Sequence, residues 1–260
     1  MNPISPAVHA DAAPEPEINE ITLDHPWQWL AAGWKDLQRA PRVSFAYGAL
    51  FVAASYAITL FAFSSNLFFL VPPLAAGFFL MAPLLAIGLY DVSRRLESGE
   101  SPGIPEALTA WRRNPVNLLG MGVVLMMSML VWMLVANLVF ALFYSNVTPT
   151  LEAFIPTVFL SGESPLFLAA GILSGGIVAA AIFCITVVSV PMLTARDTGV
   201  LTAIVASFRA VRKNPLPMLL WASLIVMFGI IGIFTFYIGL LVSMPLLGYA
   251  SWHAYRDLIG

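Results

Sequence analysis

The sequence predicts an all-α, polytopic membrane protein. Six transmembrane helices form three parallel helical hairpins, each preceded by an amphipathic helix lying along the cytoplasmic interface. Three observations predict it. Of 260 residues, 60% are hydrophobic and only 10% charged, with a mean hydropathy of +0.88. A water-soluble domain carries about 25% charged residues, so this chain meets lipid over much of its surface. An order of amphipathic segment, base-x-Pro and long apolar run occurs three times. All 12 Lys and Arg fall on one side of the map that these runs define.

The elements follow in order. Residues 1–24 carry Asp11, Glu15, Glu17 and Glu20, several Pro and Ala, and no Lys or Arg. A signal peptide has a basic start and an apolar core of about 7–15 residues. This stretch has neither, and reads as a disordered acidic tail that solubilises. Residues 25–260 read as an integral membrane domain, in repeat units of about 27–96, 101–197 and 199–258.

In the first unit Trp27, Leu30, Ala31, Trp34 and Leu37 share one helix face, with Gln28, Lys35 and Arg39 opposite. Pro41 redirects the chain. Residues 43–63 are apolar and long enough to cross a hydrocarbon core of about 30 Å. A turn at Ser64-Ser65-Asn66 leads back through residues 67–90, which hold Pro72, Pro73 and Pro83. In the second unit Ile104, Ala107, Leu108 and Trp111 share a face and Arg112-Arg113-Asn114-Pro115 ends it. Apolar runs follow at 116–144 and 166–194, joined by an outer connection whose 154–160 portion is apolar enough to lie on the membrane. The third unit has Leu201, Ile204, Val205, Phe208 and Val211 in register, then an apolar block at 216–252. That block is long for one span and tight for two, and the repeat decides for two.

The repeat is anchored on Pro41, Pro115 and Pro215. Four residues before each stands Leu37, Trp111 or Val211, seven before stands Trp34, Leu108 or Phe208, and two before stands Arg39, Arg113 or Lys213. A late proline, Pro83, Pro191 or Pro245, opens each unit's exit, which closes on charged residues: Asp91 and Arg94, Arg196 and Asp197, Arg256 and Asp257. Any membrane protein places bases and prolines at span ends, which explains one such match and poorly explains three agreeing at several offsets.

Every Lys and Arg precedes an odd span or follows an even one. The positive-inside rule then puts both termini in the cytoplasm, and the bacterial inner membrane is the expected location. Trp27, Trp29, Trp34, Tyr90, Trp111, Trp252 and Tyr255 are expected to belt the same interface.

Candidate chemistry is thin. Single Cys184 forms no internal disulfide and reads as a small hydrophobe. His253 is the only histidine near a span. A metal or haem site wants several converging ligands, so His253 reads as an interfacial polar residue and no cofactor is expected. Asp91, Asp197 and Asp257 sit at the membrane edge, where ion pairs bracing repeat interfaces outweigh a proton relay. Asn114 and Asn214 occupy equivalent places before a proline. No phosphate loop, dinucleotide fingerprint or nucleophile elbow occurs. The short basic clusters suit anionic lipid headgroups at the cytoplasmic face, and not nucleic acid.

Two stretches carry a family resemblance: Trp29-Leu30-Ala31-Ala32-Gly33-Trp34-Lys35-Asp36-Leu37 running on to Ser44-Phe45-Ala46-Tyr47-Gly48, and Pro245-Leu246-Leu247-Gly248 followed by Trp252-His253-Ala254-Tyr255-Arg256-Asp257-Leu258. Together they resemble a bacterial integral-membrane family known as a domain of unknown function, some members of which are labelled as a cytochrome c oxidase subunit. The resemblance implies a membrane fold and leaves an accessory oxidase role open. Haem-copper catalysis needs about six histidine ligands and is not supported by one histidine near the membrane. The residues favour a non-enzymatic scaffold, assembly or lipid-organising factor, with room for a membrane-protein partner. A small-molecule or ion transporter is the alternative, and an enzyme ranks third.

Overall fold

The residue before each anchoring proline shapes the architecture. A proline ring bars its predecessor from the α region, and a proline suits the first position of a helix. Ala40 (φ −121°, ψ 54°), Asn114 (φ −141°, ψ 62°) and Asn214 (φ −123°, ψ 54°) adopt one shared conformation outside it. Each is a joint between two helices. The Ala40 N–H donates to Asp36 O at 2.9 Å while its own carbonyl accepts from Ser44 N at 3.0 Å. Asn214 does the same with Ala210 O and Met218 N, both at 3.1 Å. At these two joints the bent residue keeps both its backbone groups paired.

The computed structural model describes residues 16–65, 67, 71–143 and 165–259, which are helical with no strand among the described residues. The joints separate α1 (His25–Arg39) from α2 (Pro41–Ser64), the α5 region from α6 (Pro115–Phe143), and α9 (Val200–Lys213) from α10 (Pro215–Phe234). α5 (Ile104–Thr109) is short and tightens into a 3-10 turn at Ala110–Arg113. The return helices are α3 (Val71–Leu85) continued by α4 (Ile87–Glu97), α7 (Pro165–Thr186) continued by α8 (Ser189–Ala195), and α11 (Leu240–Leu258). The expected outer connection, including its 154–160 portion, lies outside the described residues apart from Pro165, which opens α7.

The late prolines act differently in each return helix. Near Pro83 the helix breaks at Ala86 (φ −82°, ψ 1°). Near Pro191 it breaks at residues 187–188, where the freed Val188 N–H finds Ser207 Oγ on α9 at 3.2 Å. α11 runs unbroken through Pro245. Pro245 denies a hydrogen to Leu241 O, and that carbonyl is covered by Gly48 of α2, where an added Cβ would collide with it.

Among the described residues, five helical stretches are long and apolar enough to cross a membrane: Pro41–Ser64, Gly77–Glu97, Pro115–Phe143, Pro165–Ala195 and Pro215–Phe234. The last apolar block, expected to be two spans, is two helices, of which α10 is in this set and α11 is not. Its 19 residues give about 28 Å at 1.5 Å per residue. Its sequence is less apolar because it is the innermost helix, buried on almost every side. It packs along α1 and α2 and touches α4, α8 and α10. Its closest neighbour is α1, where an added Cβ at Gly33 would lie 2.8 Å from Ala250 N and 2.9 Å from Leu246 O.

α6 and α7 show the opposite pattern. Val116, Leu119, Leu130, Leu134, Leu142, Ile172 and Ile177 are each more than 60% exposed. Such a continuous apolar exterior is incompatible with water as the surrounding medium.

Three expectations are corrected. Trp29, Tyr90, Trp252 and Tyr255 do not belt a surface but are at most 3% exposed inside the bundle, with Trp29 and Trp221 edge to face at 5.5 Å. Trp27, Trp34 and Trp111 are the exposed ones. The second amphipathic segment is a truncated helix. Residues 16–24, assigned to the acidic tail, are ordered: Ile18 and Ile21 pack on the core and Asn19 N donates to Leu258 O at 3.0 Å. Residues 1–15 lie outside the described residues.

The close backbone approach at Gly33 predicts a selective sensitivity. Gly33→Ala forces α1 off α11 and should cost about 1–3 kcal/mol, the usual range for overpacking. Gly171→Ala meets nothing within 4 Å and should be neutral or gain up to about 1 kcal/mol from helix propensity. Unfolding of both variants in mild detergent checks the contrast.

Candidate functional site

Most of the bridging polar side chains converge at one end of the bundle, where the three joints and the three exit segments meet; Tyr56, Thr59 and Tyr237 bridge α2 to the turn after α10 at the other. α5 lies against α2 and α4, α9 against α6, α7 and α8, and α1 against α10 and α11. Each helix before a joint thus rests on the helices that precede it, and the last two helices receive the first. The contacts make a closed ring with three seams.

At the seam joining α4 to the α5–α6 region stands Asp91, 1% exposed. Its Oδ1 accepts from Arg94 at 2.7 Å and Arg113 at 3.0 Å, and its Oδ2 from Arg95 at 2.7 Å. Arg95 also reaches Glu100 at 2.7 Å. Arg94 and Arg95 share a helix with Asp91, but Arg113 comes from across the seam. One buried carboxylate thus holds three guanidiniums, and its removal would leave like charges facing one another.

The next seam is held by Asn114, 5% exposed. Its Nδ2 faces the carbonyls of Leu193, Arg196 and Thr198 at 3.3–3.4 Å, and its Oδ1 accepts from Asn117 at 2.8 Å. These carbonyls belong to the last turn of α8 and the lead into α9. Asn214, 3% exposed, repeats the arrangement at the third seam. Its Oδ1 accepts from Ile21 N at 2.9 Å and its Nδ2 donates to Asn19 O at 3.0 Å, in the lead into α1. The third joint has Ala40, which carries no such amide.

His253 lies where α11 meets α1 and α4. Its Nε2 is 2.8 Å from Asp36 Oδ2, an oxygen that also accepts from Ser93 Oγ at 2.7 Å. Its Nδ1 is 3.8 Å from Glu97, and Arg256 is 3.5 Å from the other Glu97 oxygen. A serine, a histidine and an aspartate meet here, but not as a nucleophile relay. In a relay the serine hydrogen-bonds to the histidine and the aspartate orients the ring. Here Ser93 and His253 share one carboxylate oxygen, which ties three helices together.

The remaining predicted residues divide. Asp257 is exposed and accepts from Trp29 Nε1 at 2.6 Å, bracing α11 to α1 without an arginine. Arg196 donates to Ile259 O at 3.0 Å. Asp197 is exposed in the lead to α9. The three exit aspartates therefore occupy three different environments. Pro191 and Pro245 are buried and Pro83 is half-buried. Sequence reasoning gave no bonding role to Asp36, Ser93, Tyr47, Arg95 or Trp29. Asp36 was signalled by falling on the Trp29-Gly33-Leu37 side of α1, a polar residue in a stripe built for burial. No group of three or more His, Cys, Asp or Glu placed to hold a metal ion occurs among the described residues.

Residues 70–195 match a family model described as a predicted integral membrane protein (DUF2189). This is an integral membrane protein family of unknown function. The DUF2189 match covers just under half of the chain. It runs from the start of α3 to the end of α8 and so contains Asp91, Arg113 and Asn114. It lies between the two stretches that carried the resemblance at the sequence level. No curated protein and no solved structure matches the chain.

The Asp91 cluster sets a test. Asp91→Ala should cost about 2–3 kcal/mol, less than the full buried-pair value because its partners are 22–46% exposed on the side chain. Asp197→Ala should leave stability unchanged. Chemical unfolding of the two variants in detergent micelles measures the difference.

Proposed function

We propose that the chain is a six-span bacterial inner-membrane protein whose three parallel hairpins form a non-enzymatic, lipid-organising scaffold. The observation that carries this reading is the filling of the bundle around the late prolines. Pro191 and Pro245 are bedded among Val188, Val190, Met192, Leu193, Leu246 and Leu247, each at most 8% exposed. A transporter built from repeats places polar, often unwound backbone at the midplane. Here most of the polar side chains that bridge the units gather at one end, and the opposite end is tied by Tyr56 to Phe236 O and by Thr59 to Tyr237, both at 2.8 Å.

The cyclic order of contacts supports threefold pseudosymmetry about an axis normal to the membrane. Each unit begins and ends at the basic end, so its copies insert in the same direction. The α11 helix supplies the sixth span, screened from lipid by α1, α2 and α10. All 12 bases are near that end, which by the positive-inside rule faces the cytoplasm together with both termini. Trp27, Trp34, Leu108, Trp111 and Phe208 are 45–54% exposed on helices that bear Lys or Arg at or just beyond their ends. Indoles and aliphatics facing outward beside bases suit the headgroup layer, where anionic lipid adds about 1 kcal/mol per base.

Two measurements test the proposal. In a Cys184→Ser background, Ser65→Cys should label from the periplasm and Ser98→Cys only after permeabilisation; the reverse pattern would sink the orientation. Added phosphatidylglycerol should raise the unfolding midpoint in detergent more than phosphatidylcholine does. Solute flux through proteoliposomes well above protein-free vesicles would favour the transporter instead.

A further inference from the structure

The three seams are not alike, and their differences coincide. α1 has 15 residues and α9 has 14, but α5 has 6 and a 3-10 turn of 4. The seam with the short helix is also the one whose joint carries Ala40 in place of asparagine. The missing helix leaves a cleft of about 430 Å³ between α2, the α3–α4 return helix and α5. Phe51, Ala54, Phe78, Leu108 and Trp111 wall it. Its polar atom Tyr47 Oη is already engaged, donating to Ala107 O at 3.2 Å. From Phe78 to Gly88 the wall extends for about 15 Å at the helical rise per residue.

The mouth is basic. Arg112 lies over the Trp111 ring at 5.7 Å. One turn beyond Gly88, Asp91 gathers Arg94, Arg95 and Arg113. Four arginines meet Asp91 and Glu100 there, while Glu106 is engaged with Gly103 N at 3.0 Å. The rim keeps a positive excess above an apolar slot.

We infer that this seam binds one anionic phospholipid, with an acyl chain in the cleft and the headgroup phosphate at the Arg112–Arg113 rim. The inference rests on the membrane reading above and names the ligand of that face. An elongated apolar slot with its polar atom satisfied has nothing to offer a free anion below the rim. A chain inserted there gains roughly 0.8 kcal/mol per buried methylene, and the rim adds the charge selection.

The full chain, purified in mild detergent with matched phosphatidylglycerol and phosphatidylcholine, is read by native mass spectrometry. Wild type should retain one phosphatidylglycerol in preference to phosphatidylcholine. Ala54→Trp fills the slot and should cut retention of both about tenfold, the loss expected for some two displaced methylenes. Leu108→Trp serves if that variant fails to fold. Arg112→Ala should keep the acyl chain and lower the preference about fivefold, one base's worth. Equal retention by all variants would overturn the site, as would displacement of the lipid by inorganic phosphate. A rise in retention on deleting residues 2–15 would make the chain's own acidic segment the occupant and overturn it too. If phosphatidylglycerol stabilises wild type and variants alike, the cleft is wrong and the scaffold reading stands. If it stabilises none of them, both fall.

Discussion

Everything in this fold hangs on the steric conflict between a proline ring and the residue before it. A helix approaching Pro41, Pro115 or Pro215 is forced out of the α region for one residue. The next helix starts at once, because proline suits a first position and lacks the hydrogen that would go unused there. The result is a tight bend made of one residue, repeated with nearly the same torsions at all three joints. Its tightness matters: a longer linker would carry more backbone polar groups to satisfy near lipid. The bases at Arg39, Arg113 and Lys213 end helices, where they also complement the negative end of the helix dipole.

The joints fix direction, and small polar devices fix order. Asn114 and Asn214 each hold the segment that leads into the following helix. Asp91 and His253 tie hairpins through charge and hydrogen bonding. These groups are buried or half-buried, so breaking one leaves an unmatched partner and not merely a lost contact. The bundle is thus largely apolar between its ends and most specific where the units meet at the basic end.

Much of this was legible in the residues. The prolines and their preceding bases mark helix starts to within about two residues, because the steric rule is local. What hydropathy cannot tell is which apolar face meets protein and which meets lipid. On α1 both faces are apolar: Trp29, Leu30 and Leu37 are buried while Trp27 and Trp34 are outside. The same blindness put Tyr90, Trp252 and Tyr255 in an aromatic belt. Asp36 with His253, and Asp91 with Arg113, are separated by 217 and 22 residues, and only the fold brings them together. The ordering of residues 16–24 was hidden because its partners lie at the far end of the chain. The late prolines were visible, but whether each breaks its helix depends on neighbours: α11 stays whole where α1 and α2 grip it.

That gripped helix also follows every other described helix along the chain. Chains are synthesised from the amino end, so the earlier helices lie in the membrane around an unfilled slot until α11 arrives. Asn19 and Ile21 also wait for distant partners, since they bond to Asp257 and Asn214, 238 and 193 residues away. α11 is too weakly apolar to be drawn in by lipid alone, and a slot lined by Gly33 and Gly48 is what receives it. α11 is therefore what closes the centre: without it the bundle lacks the helix that Gly33 and Gly48 receive and the Asp257 carbonyl that Asn19 holds.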